Sequence, residues 1–405
     1  MKRIIIYTGK GGTGKTVNSC STAVNLAEKN YKTLIISSDP AHTLSDAFII
    51  DHISNEPIKV IENLYALQVD PFIEINKKYK TILSYLASSF FSKGIDETLS
   101  YEIAMMPGMT QLFSLLKIEE FVHHNDYDII VLDMPASGEA LRYLYFPKLA
   151  GSIGKRLTDF NGVFSGFAKM FQSFSSFYTN RSTSSTFPSA PPLNVLRDEL
   201  DLIARLENLS KLIIDPKTTS LRLIANPDTF SIENAKRALL LANLYGINVD
   251  LVIINKIMPT SSSDQYFANW AKLQNDKVQE AKTNFYPLPI REAKLYDKEL
   301  RGLDMIRENA KSIFGNDDPS NIFYSEHVFE VIKEETRLIM KLKVPFTNKD
   351  DFNINRSGEQ LIINVKGPVG HITNVIPLPI VTIGMRITNS KLVNDELQIY
   401  FEKGY

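Results

Sequence analysis

Residues Gly9 to Thr16 read Gly-Lys-Gly-Gly-Thr-Gly-Lys-Thr and satisfy G-x-x-x-x-G-K-[ST] at Gly9, Gly14, Lys15 and Thr16. Each residue type has a task in that pattern. Glycine backbone N–H groups wrap a polyphosphate, the lysine meets its β and γ phosphates, and the hydroxyl holds a magnesium ion. Gly9, Gly11, Gly12, Thr13, Gly14, Lys15 and Thr16 are therefore the expected nucleotide contacts, with Thr16 on the metal. A second lysine, Lys10, stands five positions before Lys15. It cannot fold back onto the same phosphates without crowding Lys15. It can neutralise transition-state charge on a nucleotide held by another copy of the chain, as an arginine finger does.

A phosphoryl-transfer site also needs carboxylates that position magnesium and the attacking water. Two stand at the ends of apolar runs. Asp133 follows Ile129-Ile130-Val131-Leu132, the usual place for an acid that helps hold the metal, and Asp39 follows the run Thr33 to Ser38. Asn255 ends another such run, and a carboxamide can read adenine because it offers a donor and an acceptor side by side.

The elements that would carry these groups alternate. Ile4-Ile5-Ile6-Tyr7 suits a buried parallel strand, and Val17 to Lys29 is amphipathic at helical spacing, which turns a helix N-terminus toward the anion. Further short apolar strands are expected at Lys32 to Ser38, Leu64 to Val69, Asp128 to Asp133, Leu221 to Ala225 and Asp250 to Asn255. With helices between them this is an α/β fold, a doubly wound parallel sheet. The gaps Pro71 to Asn125 and Pro135 to Thr219 are too long for simple crossovers and must hold helical insertions. A helix-rich stretch is expected up to Lys343. From Val344 to Tyr405 the alternation Leu361/Ile363/Val365 and Leu397/Ile399/Phe401 predicts a small antiparallel β-sandwich, so the domains divide as 1–343 and 344–405.

Phenylalanines recur at Phe160, Phe164, Phe167, Phe171, Phe174 and Phe177, with Met170 among them, and on a helix they form one stripe. Such a stripe fits a buried core. Its place in an oversized insertion, beside a Ser/Thr/Pro tract at Arg181 to Pro192, fits an exposed apolar groove instead. A second apolar candidate is Ile82 to Phe91 with Met105, Met106 and Met109.

Composition excludes several classes. With 405 residues, 44% hydrophobic, 22% charged and net charge −1, the chain reads as a soluble protein with two or three cores and no nucleic-acid-binding surface. Its one cysteine, Cys20, cannot form an intrachain disulfide, and Met1-Lys2-Arg3 runs directly into a strand, so a reducing, cytoplasmic compartment is expected. No apolar run nears the roughly 18 residues of a membrane span, which leaves only an indirect or peripheral membrane role.

These motifs together resemble the arsenite-transporter-type ATPases, which include the cytosolic targeting factors for tail-anchored membrane proteins. Gly9 to Thr16 resembles their deviant Walker loop, Asp39 to Phe48 their first switch, and Asp133 to Arg142 their second switch, with Glu139 where histidine is common. Ile253 to Pro259 resembles the adenine-reading segment and Glu299 to Leu303 the near-terminal signature. The resemblance implies a homodimer closing on ATP and Mg2+. In it Lys10 acts in trans, Lys15 and Thr16 in cis, Asp39 orients or deprotonates the attacking water, and Asp39 and Asp133 meet magnesium through water. Asn255 would hydrogen-bond adenine, while His42 and Asp46 hold the switch in shape.

The two insertions would form a groove for a hydrophobic helix of a membrane-protein client. The C-terminal β domain resembles the α-crystallin (HSP20)-like module of some members. Departures matter as much. A single cysteine supplies neither the paired cysteines of the zinc-clamped targeting factor, nor soft ligands for arsenic, nor ligands for an iron–sulfur cluster. Near-neutral charge and a strand-like end, Glu396 to Phe401, depart from partition and septum-site ATPases. Two functions stay open: an ATP-gated carrier of hydrophobic helices, or a nucleotide-dependent dimerisation switch acting on a soluble partner.

Overall fold

β1 (Arg3–Gly9) is buried along its whole length, and its alternate residues feed two different cores. Ile4 and Ile6 join Leu34, Ile36, Ile130 and Leu132 on one face, while Ile5 and Tyr7 join Ile35, Ile129 and Val131 on the other. Side chains alternate across a strand, so a sheet covered on both faces needs an uninterrupted apolar run. The computed structural model describes residues 2–39, 43–81, 108–136, 140–148, 193–259, 265–334, 337–367, 370–378, 380–382 and 384–403. The Phe160–Phe177 stripe with Met170, the segment Ile82 to Phe91, Met105, Met106, His42 and Glu139 lie outside the described residues.

The main sheet adds β2 (Thr33–Ser37), β3 (Ile58–Ile61), β4 (Leu64–Gln68), β5 (Ile129–Ala136), β6 (Thr219–Ala225), β7 (Val249–Ile257) and β8 (Ile290–Lys294). Their order is β3-β4-β2-β5-β1-β6-β7-β8, parallel except for β3 against β4. The doubly wound α/β expectation therefore holds, with β3 and β8 as added edges. Neither edge strand carries a fully apolar pattern, and four of the five β8 residues are incompletely buried, so periodicity does not signal them.

Both long connections are helical at their described ends. Pro71–Glu74 runs into a π-turn at Ile75–Tyr79, Met109–His124 precedes β5, a helix spans 140–148, and Leu193–Ile214 precedes β6. A buried polar network ties these roots. Arg205 donates to Glu119 Oε2 at 2.9 Å, to Tyr79 Oη at 3.0 Å and to the Leu116 carbonyl at 3.0 Å, and Lys117 pairs with Glu74 at 3.0 Å. Met109, expected as an adaptable apolar contact, packs half-buried against the core.

Glu199, on the helix Leu193–Ile214, is buried with Oε1 unpartnered among the described residues, and burial raises its carboxyl to about 7. A carboxyl raised in the fold stabilises below its unfolded value, and that contribution is lost as pH rises through the folded value. Glu199→Gln is therefore expected to melt near wild type at pH 4 and above it at pH 8, which thermal unfolding across that range measures.

The C-terminal part forms two antiparallel sheets. One is β14-β15-β10-β9, from β9 (Phe329–Lys333), β10 (Arg337–Lys343), β14 (Met385–Val393) and β15 (Glu396–Lys403). The other is β11-β12-β13, from β11 (Phe352–Ser357), β12 (Gln360–Gly367) and β13 (Gly370–Pro377). Leu361, Ile363, Val365, Leu397, Ile399 and Phe401 all point inward, as their alternation predicts. The expectation of helix up to Lys343 is corrected, because β9 and β10 pair with each other and β10 with β15. Leu338, Ile339 and Leu342 fit a helical face as well as a strand, and the pairing with β15 decides between them. The β sheets thus begin at Phe329, ahead of the expected boundary at Val344.

Candidate nucleotide site

The loop 9–16 sits at the carboxyl ends of β1, β5 and β2, where ligands bind in open α/β sheets. A Cβ on Gly9 would lie 2.2 Å from the Ile224 carbonyl oxygen on β6, so only glycine lets the loop leave the sheet here. Gly14 has φ +89, and a Cβ there would lie 2.3 Å from Asn255 Nδ2. The helix that follows, Lys15–Glu28, starts at Gly14 without a side-chain cap, which leaves its first N–H groups free to meet an anion.

The loop is braced from behind by β7. Asn255 donates from Nδ2 to the Thr13 carbonyl at 2.8 Å, and its Oδ1 is buried without a partner among the described residues. Lys256, in the left-handed region at φ +63, donates from Nζ to the Gly12 carbonyl at 2.7 Å. Within the loop, Thr13 Oγ1 donates to the Lys10 carbonyl at 2.8 Å. Lys15 Nζ lies 3.5 Å from that same carbonyl, whereas Lys10 Nζ points away, 5.4 Å from the Phe230 ring centroid.

The two carboxylates come together, Asp133 on β5 and Asp39 two residues past the end of the neighbouring β2. Thr16 Oγ1 donates to Asp133 Oδ2 at 2.7 Å, and Asp133 Oδ1 is buried and unpartnered among the described residues. Burial lifts the Asp133 carboxyl to about 7, with the Asp39 charge adding to the rise and the Thr16 hydrogen bond and Lys15 opposing it. Asp39 is fixed through its backbone. Its N–H donates to Ser37 Oγ at 3.2 Å and its carbonyl accepts from Gln68 Nε2 at 2.7 Å. Ser38 is held in turn: its N–H and Oγ both reach the Asp133 carbonyl at 3.0 Å, and Gln111 Nε2 donates to its carbonyl at 3.0 Å. The helix Thr43–Phe48 is tied to the segment before the helix Gly302–Phe314, where Arg301 Nε donates to the Asp46 carbonyl at 3.2 Å.

The expected site residues Gly9, Lys15, Thr16, Asp39, Asp133 and Asn255 thus share one sheet edge, and Lys10 lies on the loop's outer side. Gln68, Gln111 and Lys256 escape pattern reading. Gln68 had a usable signal, a polar residue closing an apolar strand at the ligand-facing edge. The left-handed backbone of Lys256 has no signature in residue type.

Fold and loop define a phosphate-binding-loop nucleotide hydrolase of the doubly wound class. The anion-transporting ATPase profile matches residues 2–315, and the profile of the HSP20-like domain found in ArsA matches 335–401. The chain belongs to this ArsA-type ATPase family and hydrolyses ATP. A putative arsenical pump-driving ATPase of Chlorobaculum tepidum is 31% identical over 99% of this chain and 96% of its own. Putative arsenical pump-driving ATPase 1 of Aquifex aeolicus is 27% identical over 98% of this chain and 99% of its own. The ATPase GET3 of Podospora anserina is 24% identical over 76% of this chain and 88% of its own.

Proposed function

We propose that the chain is a homodimeric ATPase that closes on Mg2+–ATP and carries hydrophobic helices of membrane-protein clients. The observation that carries the dimer is the direction of Lys10, which turns from the loop onto Phe230 while Lys15 stays at the loop. A lysine so placed serves a nucleotide held opposite. Exposed apolar side chains support the same face as a contact with a second copy. Phe230, in the first turn of the helix after β6, and Tyr266, Phe267, Trp270 and Leu273, in the opening turns of the helix after β7, are all exposed, and both helices start from the carboxyl ends of their strands. Exposed large apolar side chains grouped on one helix, as at Tyr266, Phe267, Trp270 and Leu273, favour an interaction site.

Magnesium fits the residues present. Thr16 and Asp133 offer oxygens, Asp133 Oδ1 is buried with no hydrogen-bond partner among the described residues, and a divalent cation would add to the Lys15 charge that offsets its burial. The ion would offset charge building on the phosphates. Asp39 orients or deprotonates the attacking water, Lys15 holds the bound phosphates, and Lys10 of the second copy neutralises the charge that develops. Asn255 has one donor already committed to the loop, which leaves Oδ1 to accept from the adenine amine.

The client half of the proposal rests on the two insertions, whose helical roots are tied by Arg205, and on the Phe160–Phe177 stripe. Co-expression with a single-helix tail-anchored protein tests it. ATP-dependent co-purification is expected for wild type and lost for Phe167→Asp/Phe171→Asp with ATPase activity within about threefold; loss of folding in that variant means the stripe is core. The names of the full-length relatives favour a second reading, an ATPase that drives an arsenical pump. Cys20 is buried with its thiol pushed well above the usual range by burial and Asp133, which disfavours it as an arsenic ligand. Stimulation of turnover by arsenite rather than by client would favour the pump reading.

A further inference from the structure

The helix over 140–148 starts four residues after Ala136, the end of the strand that carries Asp133, and its Ala140, Leu141 and Leu144 share one buried cluster with Leu132 and Met134 of that strand, so the two are packed together. Its far side is held by the C-terminal β sheets. Tyr145, buried, donates from Oη to the Val375 carbonyl on β13 at 2.9 Å, and its ring stacks on Tyr245 with centroids 4.3 Å apart and planes 14° apart. Burial and Tyr245 raise the Tyr145 phenol above the ordinary range, so the hydroxyl keeps its proton and remains a donor.

One turn on, Lys148 Nζ lies 4.9 Å from the Phe329 ring of β9 and 5.5 Å from the Tyr145 ring. The opposite side meets the first insertion's exit. A Cβ on Gly108 would lie 2.3 Å from Tyr143 Cε1, so the Tyr143 ring sits directly on that backbone. The apolar core is continuous across the junction, since Leu141, Leu144 and Tyr145 share one cluster with Ile372, Ile376 and Leu361.

We propose that Tyr145 is a positioning residue for ATP hydrolysis: it ties the helix behind Asp133 to β13, so that the C-terminal β sheets hold that helix and respond to the nucleotide. Packed elements joined by a directional hydrogen bond shift together rather than deform separately. Coupling of this kind is reciprocal, so the β sheets bias the nucleotide site as much as they read it. The inference rests on Asp133 facing the bound nucleotide and needs neither the dimer nor the client.

A second contact across the same junction supplies the control. Asn374 Nδ2 donates to the Leu244 carbonyl at 3.1 Å, joining β13 to the helix Thr229–Tyr245 rather than to 140–148. Tyr145→Phe keeps the ring stack and removes one hydrogen bond, and Asn374→Ala removes one of the same kind elsewhere. Hydrogen exchange of the full chain with and without a non-hydrolysable ATP analogue reads the coupling.

In wild type the analogue is expected to protect 9–16 and to change exchange on β13 severalfold. In Tyr145→Phe the loop stays protected while the β13 response disappears, and kcat falls about fivefold, the weight of one hydrogen bond, with KM within about twofold. Asn374→Ala keeps the β13 response and kcat within about twofold. The proposal is overturned by a wild-type β13 indifferent to the analogue while 9–16 is protected, which needs no variant to fold. It is overturned equally by a response that persists in Tyr145→Phe or vanishes alike in Asn374→Ala.

Discussion

Lys10→Ala is expected to lower kcat for ATP by about 10^3- to 10^5-fold with little change in ATP affinity, the scale of a charge supplied in trans to a transferring phosphoryl group. The affinity is spared because the contacts that hold the ground state do not include this side chain. Loop backbone, Lys15 and the uncapped helix start remain, and the Lys10 carbonyl that accepts from Thr13 Oγ1 is backbone and survives the substitution. What is lost is an ammonium that in a single chain rests over Phe230. An interaction made only in the transition state lowers kcat and kcat/KM together. Steady-state turnover and calorimetric ATP binding separate the two, and a kcat within tenfold of wild type would contradict the assignment.

Asp39→Asn is expected to cost about 10^2- to 10^4-fold in turnover, the usual contribution of a positioned general base, while ATP stays bound. The change keeps the side chain's shape while it removes the charge and turns one acceptor oxygen into a donor, and Ser37 and Gln68 bond to the backbone, which is unchanged. The variant keeps these two backbone contacts. It also removes the like charge that helps raise Asp133. Single-turnover hydrolysis of prebound ATP measures the step directly. Turnover within about threefold of wild type would move the role of water activation to another group.

The nucleotide loop and its carboxylates were legible in residue order because their chemistry is local. A glycine is required where a Cβ would strike the Ile224 carbonyl, and an acid is required where a strand ends at the phosphate edge. The central strands were legible for a related reason, since burial on both faces demands unbroken apolar runs. Partly exposed edges carry no such demand, and β3 and β8 escaped. The stretch up to Lys343 was expected to be helix-rich; Leu338, Ile339 and Leu342 on β10 satisfy either period, and what makes β10 a strand is its partner at Glu396–Lys403, with β9 pairing on its other side.

Contacts made at long range are the least legible of all. Tyr145 meets Val375 across 230 positions of sequence, and nothing in either segment's composition announces the other. The same holds for Lys256, whose reach to Gly12 depends on a left-handed backbone. Gln111 likewise gives no sign in its own helix that it will hold the Ser38 carbonyl next to Asp39.

Mixing two inactive variants tests the central claim most directly. In Lys10→Ala each chain keeps its Asp39, and in Asp39→Asn each keeps its Lys10, so a mixed dimer with lysine acting in trans contains one complete site. Random pairing makes half the dimers mixed with one of two sites complete, which predicts recovery of about a quarter of wild-type turnover per chain, rising and falling with protein concentration as association requires. No recovery at any ratio, with both variants binding ATP and pairing, would place Lys10 in cis and contradict the dimeric mechanism.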